Sequence, residues 1–162
     1  MGANELSALI WHERELLGML TFKLEEEQLL LTAGRTRWLQ HATLEVEQVV
    51  RRLREAGLAR AVESSRVALE WGLAEDATLS QLAAGAPAGP WGDLLRSHVD
   101  ALKAQTRAVQ QLRDENAAYL RAAARSTQET IAGLQPDTGL YDAAGHTAAA
   151  APAGRHLLET SL

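Results

Sequence analysis

Cysteine is absent from the chain. That removes disulfide bridges and thiolate chemistry, and it fits a cytoplasmic setting. Aromatic residues make up only 4%, so Leu and Ala have to build the core. No apolar run approaches ~18 residues, which argues against a membrane span. The first residues lack a basic stretch followed by a long apolar one, so no signal peptide is expected. Basic residues are not in excess. Sixteen Lys and Arg stand against 21 Asp and Glu, for a net charge of −5, and no basic patch is large enough to drive phosphate binding. The densest basic cluster, Arg51, Arg52 and Arg54, reads as a solvated helix face. No nucleic-acid partner is expected.

Catalytic signatures are missing as well. The histidines are His12, His41, His98, His146 and His156. His12–Glu13 begins like a zinc-protease motif, but no second histidine follows at the needed spacing. No Glu-x-x-His pair exists for a dimetal site in a helical bundle. There is no phosphate loop, no dinucleotide fingerprint and no Gly-x-Ser-x-Gly. Glu13 and Glu27 share one helix face but sit four turns apart, roughly 21 Å, too far for joint acid–base work. They are expected at the rim, paired with arginines such as Arg14 or Arg37. No catalytic residue, metal or cofactor is expected.

Helical periodicity is what remains. Between Pro90 and Leu134 the positions Trp91, Leu95, His98, Leu102, Gln105, Val109, Leu112, Asn116, Tyr119, Ala123, Ser126 and Thr130 alternate four- and three-residue steps, the seam of a packed helix. Pro90 suits the helix start and Pro136 forbids continuation. A first helix over 6–33 carries Leu6, Ile10, Glu13, Leu17, Leu20, Leu24, Glu27 and Leu31 on its seam. Asn4 or Ser7 is its expected cap, and Gly34 its stop. A second helix over 36–71 carries Leu39, Ala42, Val46, Val49, Leu53 and Ala56. Its phase is then expected to slip at Gly57, so that Leu58, Ala61 or Val62, Ser65 and Leu69 continue the seam. Thr78 and Gln81 have capping-box spacing and open a short helix near 78–84, expected to stand over a seam the first helix fails to reach. From Gln135 on, glycine, proline and an alanine run break all periodicity.

The expected fold is therefore all-α. It is an elongated antiparallel bundle of three long helices with a short connecting helix, over residues 1–135, and a disordered C-terminal tail over 136–162. His98 and Asn116 are polar residues inside the third seam, where they specify register at a cost in stability. On that reasoning Asn116→Leu raises the melting temperature. The tryptophans are expected to anchor packing near helix ends. The last turns of the third helix are expected to be thinly covered, which makes Tyr119, Ile131, Leu134, Leu140 and Tyr141 the candidate partner-binding residues.

The order of these segments resembles a known family. LSALIWHERELLGMLTFKLEEEQLLL, with Glu13 and Glu27 interrupting Leu-rich turns, is followed by RVALEWGLAEDATLSQLA, LRDENAAYL and GLYDAAGH. Together they are similar to the flagellar export chaperones of the FlgN type. The chain departs from that pattern in lacking a lysine early in the second helix, with Arg37 nearest, and in carrying Arg113 where a second asparagine often sits. The resemblance implies a cytoplasmic, non-enzymatic chaperone, monomeric or weakly dimeric. Such a protein binds C-terminal helices of hook–filament junction proteins, keeps them unassembled and delivers them to the export gate or its ATPase complex. The residues alone also allow a self-associating coiled-coil scaffold.

Overall fold

The structure is a computed structural model that describes residues 2–134. Four helices follow one another: α1 Gly2–Thr32, α2 Thr36–Glu70, α3 Leu79–Gly85 and α4 Trp91–Leu134. No strand occurs among the described residues. The all-α bundle read from periodicity is the observed fold.

Local chemistry sets the ends. α1 stops where Gly34 turns to φ +65°. Arg35 N–H donates to the Leu30 carbonyl at 2.9 Å and Gly34 N–H to Leu31 at 3.2 Å, the paired bonds of a left-handed helix stop. Gly72, at φ +71°, ends α2 in the same way, with Leu73 N–H reaching the Ala68 carbonyl at 2.8 Å. Thr78 caps α3 through a complete capping box with Gln81. The start of α1 differs from expectation. The helix begins at Gly2, so Asn4 and Ser7 lie inside it, and the Ser7 hydroxyl is engaged by α4.

Cross-contacts fix the directions. Gly2 lies against Glu63, Val67 and Glu70, and Thr43 meets Glu27, so α1 and α2 are antiparallel. Ser7 meets His98 and Leu24 meets Asn116, so α1 and α4 run parallel. One core cluster joins Leu6, Ile10, Val67, Ala68, Leu82, Ala83 and Leu95. The other joins Leu20, Leu24 and Val49, flanked by Val46, Leu53, Val109 and Leu112. The short helix does not stand in for a missing first helix. Its Leu82 and Ala83 pack in the same cluster as Leu6 and Ile10.

The second half of α2 corrects the sequence reading. Helix continues through Gly57, as expected of one long helix, but the phase does not slip. The buried line runs Ala42, Val49, Ala56, Glu63 and Val67, with Arg60 between. It keeps the original four–three alternation. Leu58, Val62 and Leu69 are left on the surface. Volume explains this. α2 offers mostly small side chains inward, Ala42, Ala56, Ser64 and Ala68, while α1 supplies the leucines Leu16, Leu17, Leu20 and Leu24. Small residues let the two backbones approach closely, and the apolar bulk comes from the partner helix.

The chain divides into two units, Met1–Ala122 and Ala123–Leu162. Both clusters belong to the first. In the second, residues 123–134 are helical and every one is exposed, so the seam positions Ala123, Ser126 and Thr130 are not buried as expected. Leu140, Tyr141 and the tail expected over 136–162 lie outside the described residues.

Candidate functional site

Two polar layers lie inside the first unit, and both contain residues singled out by the sequence. Asn116, 2% exposed, donates from Nδ2 to the Leu24 carbonyl at 2.9 Å and to Glu27 Oε2 at 3.1 Å. Thr43 Oγ1 donates to the other oxygen of Glu27 at 2.8 Å. α1, α2 and α4 each contribute one side chain, and a single buried carboxylate accepts from the other two. Asn116 Oδ1 is buried without a partner. Glu27 is therefore not at a rim with an arginine. It is buried, because two neutral donors can satisfy it there.

His98 forms the second layer, 1% exposed. Arg14 Nη1 lies 3.3 Å from its Nδ1, and Ser7 Oγ lies 3.2 Å from its Nε2. A guanidinium can only donate, so Nδ1 accepts and the ring proton sits on Nε2, donating to Ser7. Burial, and then the charge of Arg14, push the His98 pKa below its ordinary value of 6.5. The ring stands edge-on to Trp11, with centroids 5.2 Å apart, and Arg14 covers Trp11 at 4.4 Å. Trp11, half exposed, lies inside α1, whereas Trp38, Trp71 and Trp91 stand at the ends of α2 and α4 as expected. Trp71, at the end of α2, packs on the cluster of Leu6, Ile10 and Leu82.

Glu13 pairs with Arg60 of α2, not with Arg14 or Arg37. That leaves the two carboxylates of the α1 seam in separate layers with separate partners. Among the described residues no group of three or more His, Asp or Glu could hold a metal ion. No helix among them is long and apolar enough to cross a membrane. Large apolar side chains are exposed on α1, α2 and α4.

Of the expected partner-binding residues, Tyr119, Ile131 and Leu134 are exposed on α4, while Leu140 and Tyr141 are outside the description. His98 and Asn116 face inward. The surface line Leu58, Val62 and Leu69 was missed as a surface. Its apolar spacing was visible, but spacing does not say which way a seam faces. Phe22 and Leu29 of α1 are also exposed, with Lys23 over the Phe22 ring at 5.3 Å.

Comparison with curated proteins and with solved structures returns no match. The family model described as FlgN protein matches residues 1–149, nearly the whole chain and every helix described above. The chain belongs to the FlgN family of flagellar export chaperones.

Proposed function

We propose that this chaperone works in the cytoplasm on hook–filament junction proteins. It binds their C-terminal helices, prevents their premature assembly, and passes them to the type III export gate or its ATPase complex. Residues 1–135 serve as the chaperone body. Tyr119, Ile131 and Leu134 of α4, with Leu140 and Tyr141 from the segment 136–162, receive the client helix. The observation that supports this is a helical stretch, 123–134, that carries Ile131 and Leu134 and buries neither. An amphipathic client helix is sticky before assembly, and exposed apolar residues on a helix can cover it. Burying Ile131, Leu134, Leu140 and Tyr141 returns roughly 6–10 kcal/mol before the cost of ordering them. If half survives, about 3–5 kcal/mol remains, which by itself gives millimolar to submillimolar binding.

Calorimetry of the full chain against a junction protein's C-terminal helix tests the reading. Deleting residues 136–162 is expected to leave the melting temperature within a few degrees and to weaken binding at least about tenfold, or 1.4 kcal/mol. Equal affinity of the full and shortened chains moves the client off these residues. A pull-down from the parent cell's cytoplasm that brings no junction protein overturns the client class. Sedimentation is expected to show a monomer or weak dimer; a tight oligomer favours a scaffold instead.

A further inference from the structure

Among the described residues nothing covers the outer face of α2. Leu58, Val62 and Leu69 are 70%, 65% and 61% exposed. With Ser65 they step by four, three and four residues, the spacing of a helix seam. At 100° per residue this line lies opposite the buried one through Val49, Ala56, Glu63 and Val67. Both core clusters use that buried side. A lone exposed leucine is ordinary, but a repeated seam over three turns marks an interaction surface.

The charges beside the seam say what fits. Arg52, Glu55, Arg66 and Glu70 are all exposed, and on a helix they fall on one flank of the line. Arg66 pairs with Glu63 at 3.1 Å and reaches Glu5 at 4.0 Å. Arg52, Glu55 and Glu70 make no ion pair among the described residues. The order along this flank is basic, acidic, basic, acidic, and it reads with charges exchanged from the other end. A two-fold axis perpendicular to the helix sets each flank against the same flank of a second copy, run in reverse. With the axis near Arg60 and Ala61, Arg52 meets Glu70 and Glu55 meets Arg66. The same axis sets Leu58 against Val62, and Leu69 against the aliphatic stem of Arg51. One register thus serves both the apolar and the charged residues.

We propose that two copies of this chain pack antiparallel through the outer face of α2, in that register. The opposed stretch, 51–69, is about 27 Å long. A single helix strip of that length belongs with small, transient interfaces, so the dimer is weak and exchanges freely. The face is on a different helix from the residues assigned to the junction-protein client, and the proposal does not rest on that assignment.

Sedimentation equilibrium of the full chain from about 10 to 300 µM, the range suited to a small interface, reads the association. The parent is expected to move from monomer to dimer across it. Leu58→Ser with Val62→Ser weakens dimerisation at least about tenfold. The register is tested by two further variants. Arg52→Glu with Arg66→Glu makes the flank wholly acidic; Glu55→Arg with Glu70→Arg makes it wholly basic. Each is expected to be monomeric alone, and an equimolar mixture of the two to dimerise. Arg52→Glu and Glu70→Arg as single changes form a milder pair with the same expectation, for use if Arg66→Glu disturbs Glu63. All substituted positions are exposed, so the variants keep the helical circular dichroism of the parent. A parent that stays monomeric throughout overturns the proposal and leaves the face to a different protein. So does a dimer indifferent to Leu58→Ser with Val62→Ser, or a mixture that associates no better than its components.

Discussion

Replacing Asn116 with leucine reverses in sign between the two levels of description. As a polar residue in an apolar seam, Asn116 invites replacement, and periodicity alone predicts a more stable protein. The structure supplies the missing neighbour. Asn116 Nδ2 donates to Glu27 Oε2, and no other bond to that oxygen is present among the described residues. Asn and Leu branch at the same carbon, so Asn116→Leu opens no cavity, but a methyl in the place of Nδ2, now 2.9 Å from the Leu24 carbonyl and 3.1 Å from Glu27, has to shift outward at a further small cost. It replaces a donor with a methyl group against a buried carboxylate. A hydrogen bond to a charged group contributes about 1.5–3 kcal/mol, and removing the orphaned Oδ1 recovers part of that. The net loss is about 1–2 kcal/mol, or roughly 5 °C in melting temperature for a domain of this size. The Leu24 carbonyl keeps its helical partner and adds little. Thermal and urea melts followed by circular dichroism at neutral pH read the difference. The triple variant Asn116→Leu, Glu27→Met, Thr43→Val removes the whole polar set, and an apolar layer of similar volume is expected to match or exceed the parent. An Asn116→Leu single variant that melts at or above the parent temperature refutes the coupling to Glu27.

Two further outcomes are expected. His98 has a folded pKa below 6.5, caused first by burial and then by Arg14. The unfolded chain therefore takes up its proton first as pH falls. Stability from this group is complete above about 6.5 and is lost as pH drops through that value toward the folded one. Urea midpoints at pH 7.5 and 5.5 are expected to differ less in His98→Gln than in the parent; an unchanged difference removes His98 as the source. Gly18 and Gly57 sit inside α1 and α2. An added methyl meets nothing within 4 Å at Gly18 and only Glu13 Oε1 at 3.7 Å at Gly57. Gly18→Ala and Gly57→Ala are each expected to stabilise by about 0.5–1 kcal/mol, and a lower melting temperature in either shows that the glycine is needed for packing.

What the sequence made legible follows the range of the interaction. The Gly34 stop and the Thr78–Gln81 box are local, and both stand where the residue types require. The α1 seam was legible because its leucines are large and face inward. Asn116 could be placed inside the third seam, but its partner could not, because Glu27 lies 89 positions away and nothing local announces a carboxylate that will be satisfied. Of the candidate site, Tyr119, Ile131 and Leu134 were legible as apolar residues beyond the main core, and they are exposed. The second half of α2 was the failure, for an instructive reason. Periodicity finds where apolar residues repeat and assumes that the repeat faces in. Here the inward line passes through Arg60 and Glu63 and is otherwise small, while the leucines and valine repeat outside. Arg60 is tolerated inward because Glu13 meets it, a contact between residues far apart in the chain. With Leu58, Val62 and Leu69 exposed, the outer seam adds little to the stability of the lone chain. That seam contributes fully only when a second helix covers it and its apolar area is removed from water.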